Sequence, residues 1–365
     1  MKDSVARIFS KVDDPRVEAR CSHLLKDILF IAFCTILSNG EDFEDMVEFG
    51  HQRRDWLEEI LELPNGIPSH DTFNRVLQLV EPEQLMTCMG EDAQDLIEDV
   101  KGKLVSLDGK KMRGVSPKSR GNKGLYILSA WVGENRLCLG QKKVEDKSNE
   151  ITAIPKLIDV LDLEGSTVSI DAIGCQVEIA QKIIDANANY LLALKKNQGN
   201  LYKQVSDDFT WKFAKSFNET WEYDHGRYEK RICQIVSAKE VLTPDLLAKW
   251  PKLETLVRII SERTINSITT SQSRFYISSE QQTSKFYNDN TRGHWSIENH
   301  LHWHLDVTFN EDANRSRSGN APQNLNLIRK MVLHRISRME DKLSLKKRRF
   351  RASMNLKYLR KVAGF

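Results

Sequence analysis

Two short stretches, Leu104-Val105-Ser106-Leu107-Asp108 and Val168-Ser169-Ile170-Asp171, each run through apolar residues and end on an aspartate. Their apolar and β-branched residues predict buried strands. Small residues follow each aspartate, Gly109 in the first case and Ala172 and Gly174 in the second, which favours a turn directly after the strand. A strand that ends on aspartate is common, because aspartate caps turns, so the repetition of the pattern is what points to chemistry.

A third acid lies far downstream, in Arg292-Gly-His-Trp-Ser-Ile-Glu298-Asn-His-Leu-His-Trp, which is typical of a helix. A single helical glutamate is usually a solvated surface charge. Two aspartates at neighbouring strand ends and a late glutamate, however, supply three hard oxygen ligands of the kind that divalent cations prefer. Two such ions can hold the attacking and the leaving oxygen of a phosphodiester. The pattern therefore predicts a nuclease or polynucleotidyl transferase that uses Asp108, Asp171 and Glu298 for metal binding and catalysis.

The composition predicts a globular protein without a membrane span. The 365 residues are 40% hydrophobic, which allows two domains or one domain with an appendage. No run of about 20 apolar residues and no signal-peptide pattern occurs, so a cytoplasmic protein is expected. The six cysteines form no Cys-x-x-Cys pair and are expected to be reduced and buried. The formal charge of +3 says nothing by itself about nucleic acid.

Residues 1–98 have the apolar periodicity of an all-helical N-terminal domain. Helices are predicted over 22–38 and over 42–63, and a further helix begins after Ser69 as N-cap and continues to Val80. Short helices joined by a tight turn can place one helix in a groove of DNA. Packing against the rest of the protein explains them equally well.

From residue 99 to 340 the pattern is that of an α/β domain. Strands are predicted over 103–112, 124–132, 136–144, 168–171 and 189–195, with helices between the last three; the first of these helices contains Pro155, expected in its first turn. This order matches the ribonuclease H fold, which has three strands, a helix, a strand, a helix, a strand and a late helix. That fold is a mixed sheet with helices on both faces. In that order Asp108 and Asp171 are neighbours. A β-rich insertion over about 203–282 contains strands predicted over 230–238, 255–263 and 273–278.

The C-terminal tail, residues 341–365, is strongly basic. Nine lysines and arginines and no acid lie between Lys342 and Lys361. Neutralisation of DNA phosphates is one use of such a segment, and a solvated basic helix or packing on the acidic N-terminal domain are the alternatives. The candidate DNA contacts in the tail are Lys346, Lys347, Arg348, Arg349 and Arg351.

Further DNA contacts are expected near the three acids, with ordinary exposed loop positions as the alternative. They follow the first aspartate, follow the fifth strand or lie on the late helix: Lys110, Lys111, Arg113, Lys195, Lys196, Asn197, Arg292, His294 and Asn299. His294, one turn before Glu298, is a candidate for orienting that acid. Trp295 and Trp303 are expected to be core anchors. The alternating His300, His302 and His304 point in different directions on a helix, so no zinc site is expected.

Five longer motifs in fixed order carry a resemblance to a known family: Asp108-Gly-Lys-Lys-Met-Arg-Gly, Glu145-Asp-Lys-Ser-Asn-Glu-Ile-Thr-Ala-Ile-Pro, Asp171-Ala-Ile-Gly-Cys-Gln, Tyr190-Leu-Leu-Ala-Leu-Lys-Lys-Asn-Gln and His294-Trp-Ser-Ile-Glu-Asn-His-Leu-His-Trp-His-Leu-Asp. The chain resembles, over nearly its whole length, the ISAs1 family of bacterial insertion-sequence transposases. That family includes the H-repeat-associated proteins and is similar to the wider IS4-like DDE transposases.

The resemblance implies a DDE transposase with a ribonuclease H-like core and the triad Asp108, Asp171 and Glu298. It implies two Mg²⁺ ions per site, with Mn²⁺ as a substitute; Asp108 bridges them, and Asp171 and Glu298 each hold one. The implied partner is double-stranded DNA, both terminal inverted repeats and target, bound by at least a homodimer in a bacterial, nucleoid-associated setting.

The chain departs from the wider IS4-like signature around Glu298. That signature has Tyr seven and Arg four residues before the glutamate and Lys seven after it, whereas this chain has Thr291, His294 and Leu305. Base-flipping and hairpin roles are therefore not transferred. Two alternatives remain: a ribonuclease H-like nuclease or resolvase that cuts without joining, and a domesticated DNA-binding protein without catalysis.

Overall fold

The computed structural model describes residues 4–17, 19, 21–93, 100–115, 125–144, 149–207, 210–214, 216–224 and 226–365. The predicted boundary at residue 98, the predicted strand start at 124 and the motif residues 145–148 lie outside the described residues. Within the described residues of the N-terminal part the helices are α1 (Val5–Phe9), α2 (Leu25–Leu37), α3 (Phe43–Gln52), α4 (Arg54–Glu58), α5 (His70–Leu79) and α6 (Pro82–Asp92).

The N-terminal region is helical, as predicted, but the single helix expected over 42–63 is wrong. The chain leaves the helical conformation at Arg53, which separates α3 from the short α4. The Arg53 guanidinium instead donates a hydrogen bond to the carbonyl oxygen of Ser353, 2.6 Å away in the tail. The predicted N-cap is confirmed, because the Ser69 hydroxyl accepts a hydrogen bond from the Thr72 backbone at the start of α5.

A nine-stranded mixed sheet forms the centre of the molecule, with strand order β3-β2-β1-β4-β5-β9-β8-β7-β6. Its first part confirms the predicted strands. Parallel pairing joins β1 to β4 and β4 to β5, and the other pairs are antiparallel. The bounds are β1 (Leu104–Met112), β2 (Leu125–Val132), β3 (Leu137–Val144), β4 (Thr167–Ile170), β5 (Asn189–Leu194), β6 (Ser216–Asp224), β7 (Arg227–Ser237), β8 (Thr255–Ile265) and β9 (Ile268–Ser278).

The region interpreted as a β-rich insertion extends this same sheet, because β9 pairs with β5. Its three predicted strands are present as β7, β8 and β9. The sequence interpretation missed β6, an edge strand whose aromatic residues Phe217, Trp221 and Tyr223 are exposed. An exposed strand has no buried face, so it gives no apolar pattern to detect.

Helices cover both faces of the first half of the sheet. On one face α7 (Glu150–Ile158) and α8 (Val177–Asp185) share a core with Val105 and Leu107 of β1. On the other face lie α12 (Ser284–Gly293) and the residues that follow it. Pro155 is the sixth residue of α7, so its predicted first-turn position is wrong; the helix begins earlier because Asn149 caps it.

The remaining elements complete the described chain. After α12 the helix continues as two π-helical segments, Ile297–His302 and His304–Thr308. The other helices are α9 (Gly199–Val205), α10 (Ala238–Val241), α11 (Pro244–Lys249), α13 (Ala321–Ser337), α14 (Leu345–Met354) and α15 (Leu356–Ala363), and 3₁₀ turns occupy Ala172–Gly174, Lys196–Gln198, Thr210–Phe213 and Glu311–Ala313. No helix in the described ranges is long and apolar enough to cross a membrane.

One hydrophobic cluster joins distant parts of the sequence. It contains residues of α1 to α6, of α13 to α15, and Ile297, Leu301 and Leu305 from the π-helical segments. The tail therefore packs as two helices into the same core as the N-terminal helices. The cysteines are free, as predicted, and five are buried; Cys21 is half-buried.

Candidate active site

Asp108 and Asp171 lie next to each other at the point where two parallel strands separate. Leu107 of β1 is opposite Ile170 of β4, and β4 ends there, whereas β1 continues to Met112. The Asp171 carboxylate accepts a hydrogen bond from the backbone of Ile173 at 3.0 Å and so caps the following 3₁₀ turn. The neighbouring placement predicted from the sequence is thus confirmed.

The helix that carries Glu298 is fixed to the strand that leads to Asp171. The imidazole of His294 lies 2.8 Å from the Ser169 hydroxyl. Ser169 is two residues before Asp171, and His294 is four residues before Glu298. The pKa of His294 falls to about 4, because the ring is buried, so it is neutral at physiological pH. Gly293 allows close packing, since a side chain there would begin 2.8 Å from Leu104 of β1. Glu298 itself is exposed on a π-helical segment, a distortion often found at functional sites.

The Asp108 carboxyl lies in an environment that disfavours its ionised form. Burial raises the pKa of Asp108 to about 7, and the negative charges of Glu298, Glu150 and Asp171 add to the effect. His302 lies on the other side, with Nδ1 3.6 Å from the Asp108 carboxylate. Burial, followed by the positive charges of Lys330 and Lys110, lowers the pKa of His302 to about 3, so the imidazole brings no charge to Asp108. Asp108 thus faces like charges, and a bound cation would relieve that repulsion.

Comparisons with known proteins give two family matches and several relatives of similar length. The family described as Transposase DDE domain matches residues 100–334, and the family described as DDE_Tnp_1-associated matches residues 6–91. The chain belongs to the DDE transposase family. "Putative transposase YncI" of Escherichia coli O157:H7 is 36% identical over 367 residues, which cover 98% of this chain and 94% of the relative. "H repeat-associated putative transposase YhhI" of Escherichia coli strain K12 is 33% identical over 363 residues, 97% of this chain and 96% of the relative.

The predicted resemblance is therefore confirmed, and the protein is a DDE transposase. This family generally uses a divalent metal ion. The residue types fit one, because the carboxylate oxygens of Asp108, Asp171 and Glu298 are hard ligands of the kind that such ions prefer. Within the described part of the chain, no three His, Cys, Asp or Glu side chains are close enough to hold a single ion as they stand.

Lys110 is not available to DNA, contrary to the prediction. Its side chain is buried, and Nζ lies 2.7 Å from Asp306 and 2.9 Å from Glu311. Glu311 is fully buried and also contacts Arg329 and Asn326. Lys110 is the second residue after Asp108 in the strand, so both side chains point to the same face, where the late helices pack. The lysine thus links β1 to those helices.

The other basic candidates near the aspartates are placed as predicted at the edge of the sheet. Lys111, Lys195 and Lys196 are exposed, and so is Arg113, which also lies 3.6 Å from Asp312. Asn197 instead donates a hydrogen bond of 2.7 Å to the Ala172 carbonyl oxygen. Its amide nitrogen therefore ties the loop after β5 to the turn after Asp171, while the residue itself is exposed.

A groove of about 840 Å³ runs from the Glu298 helix along the sheet extension. Six cationic side chains and two carboxylates line it, together with Trp295, Asn299 and His300; the cations are Arg227, Lys230, Arg231, Arg263, Arg274 and Arg292. Of the predicted DNA contacts, Arg292 and Asn299 lie here, and Arg292 pairs with Glu222. His294 is buried against Ser169 instead.

The two tryptophans of the late helix are not core anchors, so that prediction is wrong. Trp295 is 41% exposed and Trp303 is 50% exposed. The Arg274 guanidinium lies over the Trp295 ring, 4.9 Å from its centroid, which makes a cation–π contact at the groove. Ile297 and Leu301 of the same helix are the residues that enter the apolar cluster.

The basic tail divides into two groups. Lys346, Lys347 and Arg351 are exposed and could meet phosphate. Arg348 and Arg349 are buried, so the prediction that they contact DNA is wrong. Arg348 is bound by Asp341 and by the Ile336 carbonyl oxygen, and Arg349 by the carbonyl oxygens of Ile36 and Thr308. The alternative of packing on the N-terminal helices holds for Arg349, through Ile36, whereas Arg348 is held within the C-terminal region itself.

Sequence reasoning missed Glu150, the fourth acid in the charge environment of Asp108. Glu150 lies in the first turn of α7, where an acid is common because it interacts favourably with the helix dipole. No strand-end pattern marks it. The only sequence signal was its place within one of the five family motifs.

Proposed function

We propose that this transposase cleaves DNA at transposon ends by metal-dependent hydrolysis and joins the freed 3′ ends to target DNA. Asp108, Asp171 and Glu298 are the catalytic residues. The observation that carries the proposal is the position of Asp108 and Asp171 at adjacent ends of the paired strands β1 and β4, with the helix of Glu298 tied to β4 through the contact of His294 with Ser169. The raised pKa of Asp108, caused mainly by burial and in part by the charges of Glu298 and Asp171, supports it.

The proposed catalytic fold is the ribonuclease H fold. Support comes from the strand order β3-β2-β1-β4-β5, in which β1, β2 and β3 are antiparallel and β1, β4 and β5 are parallel. Helices α7 and α8 cover one face and α12 the other, as this order requires. In the proposal the strands β6 to β9 extend the fold to form the wall of the DNA groove.

Asp108, Asp171 and Glu298 would hold two Mg²⁺ ions, for which Mn²⁺ could substitute. When bound, these ions supply Lewis acidity to the attacking and leaving oxygens of the phosphodiester. Asp108 must be ionised to take part, so its pKa near 7 places metal binding in competition with protonation. His302 stays neutral and leaves the negative charge of Asp108 available for a cation.

The same carboxylates serve both reaction steps in this proposal. Hydrolysis breaks the bond between phosphorus and the 3′ oxygen and leaves a free 3′-hydroxyl on the transposon end. That hydroxyl then attacks a target phosphodiester held at the same acids, and the target's own 3′ oxygen leaves. No covalent bond to the protein is formed. Because two ends must be joined, we propose that at least two copies act together on DNA.

The groove beside Glu298 is the proposed path of the DNA backbone. Its cations outnumber its acids by six to two, and it opens next to Asn299, the residue after Glu298. Arg274 contacts Gln272 and Trp295, neither of which neutralises its charge. Phosphate contacts of this type position DNA without reading its sequence.

The test uses the purified full-length chain and labelled duplexes that carry the inverted repeats found at the borders of its element. Wild-type protein should nick these repeats only when Mg²⁺ or Mn²⁺ is present, and pre-cut ends should be joined to a target plasmid. The variants Asp108→Asn, Asp171→Asn and Glu298→Gln should bind the duplex but not cut it. Glu178→Gln, an exposed acid in the first turn of α8, serves as the control and should cut normally.

Metal-dependent cleavage by any of the three triad variants at the wild-type rate would remove that residue from the proposal. Cutting without joining of pre-cut ends would identify a nuclease, and binding without cutting by the wild type would identify a non-catalytic DNA-binding protein.

A further inference from the structure

His302 is a largely buried histidine on the same π-helical segment as Glu298, four residues further along the chain. Its side chain is only 12% exposed, and Nδ1 of the ring lies 3.6 Å from the carboxylate of Asp108. Glu298 itself is exposed. The imidazole therefore contacts one proposed catalytic acid from the segment that carries another, and it is too buried to serve as a contact for DNA.

The face of β1 that carries Asp108 places this contact among groups that are already held. Side chains two residues apart along a strand share a face, so Asp108 and Lys110 both point toward the late helices, where Lys110 is buried in ion pairs. On the neighbouring strand, Ser129 is paired with Asp108 and accepts a hydrogen bond of 2.8 Å from Lys330 of α13. The surroundings of the contact are therefore fixed by their own partners.

The helix of Glu298 touches both strands that carry the proposed catalytic aspartates. His294 lies 2.8 Å from Ser169 of β4, and His302 lies eight residues later and contacts β1. Glu298 is halfway between the two histidines in the sequence. The apolar side chains of this stretch, such as Ile297, are fully buried and hold it in place. A shift of the segment would therefore change the position of Glu298 and the contact with Asp108 together.

The second nitrogen of the His302 ring indicates where its proton lies. Within the described residues, Nε2 is buried and has no hydrogen-bond partner. A proton on Nε2 would leave a buried donor unpaired and would direct the lone pair of Nδ1 at a carboxylate, which is unfavourable. A proton on Nδ1 avoids both costs. The neutral ring therefore presents an N–H to Asp108.

We propose that His302 is a positioning residue whose Nδ1–H orients the Asp108 carboxylate relative to Glu298. The proposal rests on the proposed cleavage function. At 3.6 Å the contact is longer than a hydrogen bond in the DNA-free protein. Contacts of catalytic groups are often long in the free enzyme and tighten when the substrate binds. The ring thus holds the carboxylate and neither gives up nor takes a proton during the reaction.

The first experiment measures the cleavage rate at saturating DNA, with the full-length chain, Mg²⁺ and the labelled inverted-repeat duplexes. His302→Ala should slow cleavage about 10- to 100-fold at unchanged DNA affinity, because small displacements of catalytic groups are costly. His302→Asn places an amide N–H near the position of Nδ1 and should restore most of the rate. His302→Gln places it near the position of Nε2 and should not.

The matched control is His304→Ala, which removes a half-buried ring from the same helix. Nδ1 of His304 lies 2.9 Å from the Thr308 hydroxyl, so this ring serves packing within the helix. Rates are compared per folded molecule, with the folded fraction taken from circular dichroism, and the control should cleave like the wild type. Wild-type cleavage by His302→Ala, or equal losses in the Ala, Asn and Gln variants, would overturn the positioning role.

The second experiment observes the ring directly, in DNA-free and metal-free protein labelled with ¹⁵N-histidine. The resonances that disappear in His302→Asn belong to His302, and their shifts should report a neutral ring with its proton on Nδ1. They should change in Asp108→Asn and stay the same in Asp55→Asn, an exposed acid of α4. A proton on Nε2, or resonances that do not respond to Asp108→Asn, would overturn the assignment.

The two experiments fail separately from the proposed function. If the wild type does not cut DNA, the proposed function falls and the role of His302 in cleavage falls with it, whereas the resonances still decide whether the ring contacts Asp108. If the wild type cuts and His302→Ala cuts equally fast, only the positioning role falls.

Discussion

Asp108 is half-buried, and its raised pKa predicts that its ionised form destabilises the folded protein. The pKa of an aspartate in an unfolded chain is about 3.9, whereas burial and the neighbouring charges raise that of Asp108 to about 7. Between these values the native state keeps a proton that the unfolded chain has released. Stability is therefore full below the unfolded pKa and falls as the pH rises through 7.

Replacing Asp108 with asparagine should remove this loss of folding stability at high pH. In chelator at pH 8, Asp108→Asn should raise the free energy of unfolding by about 1–3 kcal/mol, a discounted fraction of what the pKa shift allows. At pH 4 the two proteins should be nearly equal, because Asp108 is then neutral. Urea denaturation at both pH values measures this, with exposed Asp55→Asn as the control. The same difference at both pH values would show that Asp108 does not titrate as described.

His294 and Ser169 should behave as a coupled pair in catalysis, since their bond ties the Glu298 helix to the Asp171 strand. His294→Ala and Ser169→Ala should each slow cleavage about 10- to 100-fold, because small displacements of catalytic groups are costly. The double variant should lose little more than either single one. Cleavage rates at saturating DNA measure this, and independent, multiplicative losses would contradict the coupling.

At the scale of elements, sequence reasoning succeeded where burial leaves a pattern. The apolar runs of β1, β4 and β5 predicted the strands, their order and the meeting of Asp108 and Asp171. It failed for exposed β6, which has no buried face, and for the helix break at Arg53, which depends on a contact with the distant Ser353. A single sequence does not show which cations are buried by residues far along the chain.

The tail helix α14 carries both buried and exposed cations, so it can test how the two kinds differ in their effect on stability. Arg349 satisfies carbonyl oxygens of Ile36, Gly40 and Thr308 across three parts of the chain. Arg349→Ala leaves these acceptors unpaired and should lower the free energy of unfolding by about 2–4 kcal/mol. Lys346→Ala and Lys347→Ala, which are exposed on the same helix, should change it by less than about 0.5 kcal/mol. Equal effects in chemical denaturation would contradict the division of the tail into buried and exposed cations.

The sheet extension should contribute to DNA affinity through its groove. Arg274→Gln removes a cation that no carboxylate contacts among its described partners, so it should weaken binding to duplex DNA and lower the salt slope of log Kd by about 1. The control Lys156→Gln removes an exposed cation from α7, outside the groove. Fluorescence anisotropy at several salt concentrations measures both variants. Equal loss from the two would mean that overall charge, and not the groove, sets the affinity.

At the scale of the whole molecule, the Glu298 helix depends on both ends of the sequence. Its buried residues Ile297, Leu301 and Leu305 share one core with α1 to α6 and with the tail helices. The buried cluster of Lys110, Glu311 and Arg329 joins β1 to α13 through two ion pairs of Glu311. Catalytic geometry is therefore coupled to the packing of segments that carry no catalytic residue.

This coupling predicts that the protein unfolds in one cooperative step. Calorimetry of the full chain should show one transition, because the N-terminal helices, the Glu298 helix and the tail cannot lose their shared core separately. Removing residues 341–365 exposes apolar surface of the core that α14 and α15 share with α13 and the N-terminal helices, so the truncated chain should unfold at a clearly lower temperature. Hydrogen exchange should then lose protection in α2 and around Leu301 together. Two separate transitions in the full chain, or a truncated chain that keeps wild-type protection around Leu301, would show that the N-terminal and catalytic parts fold independently.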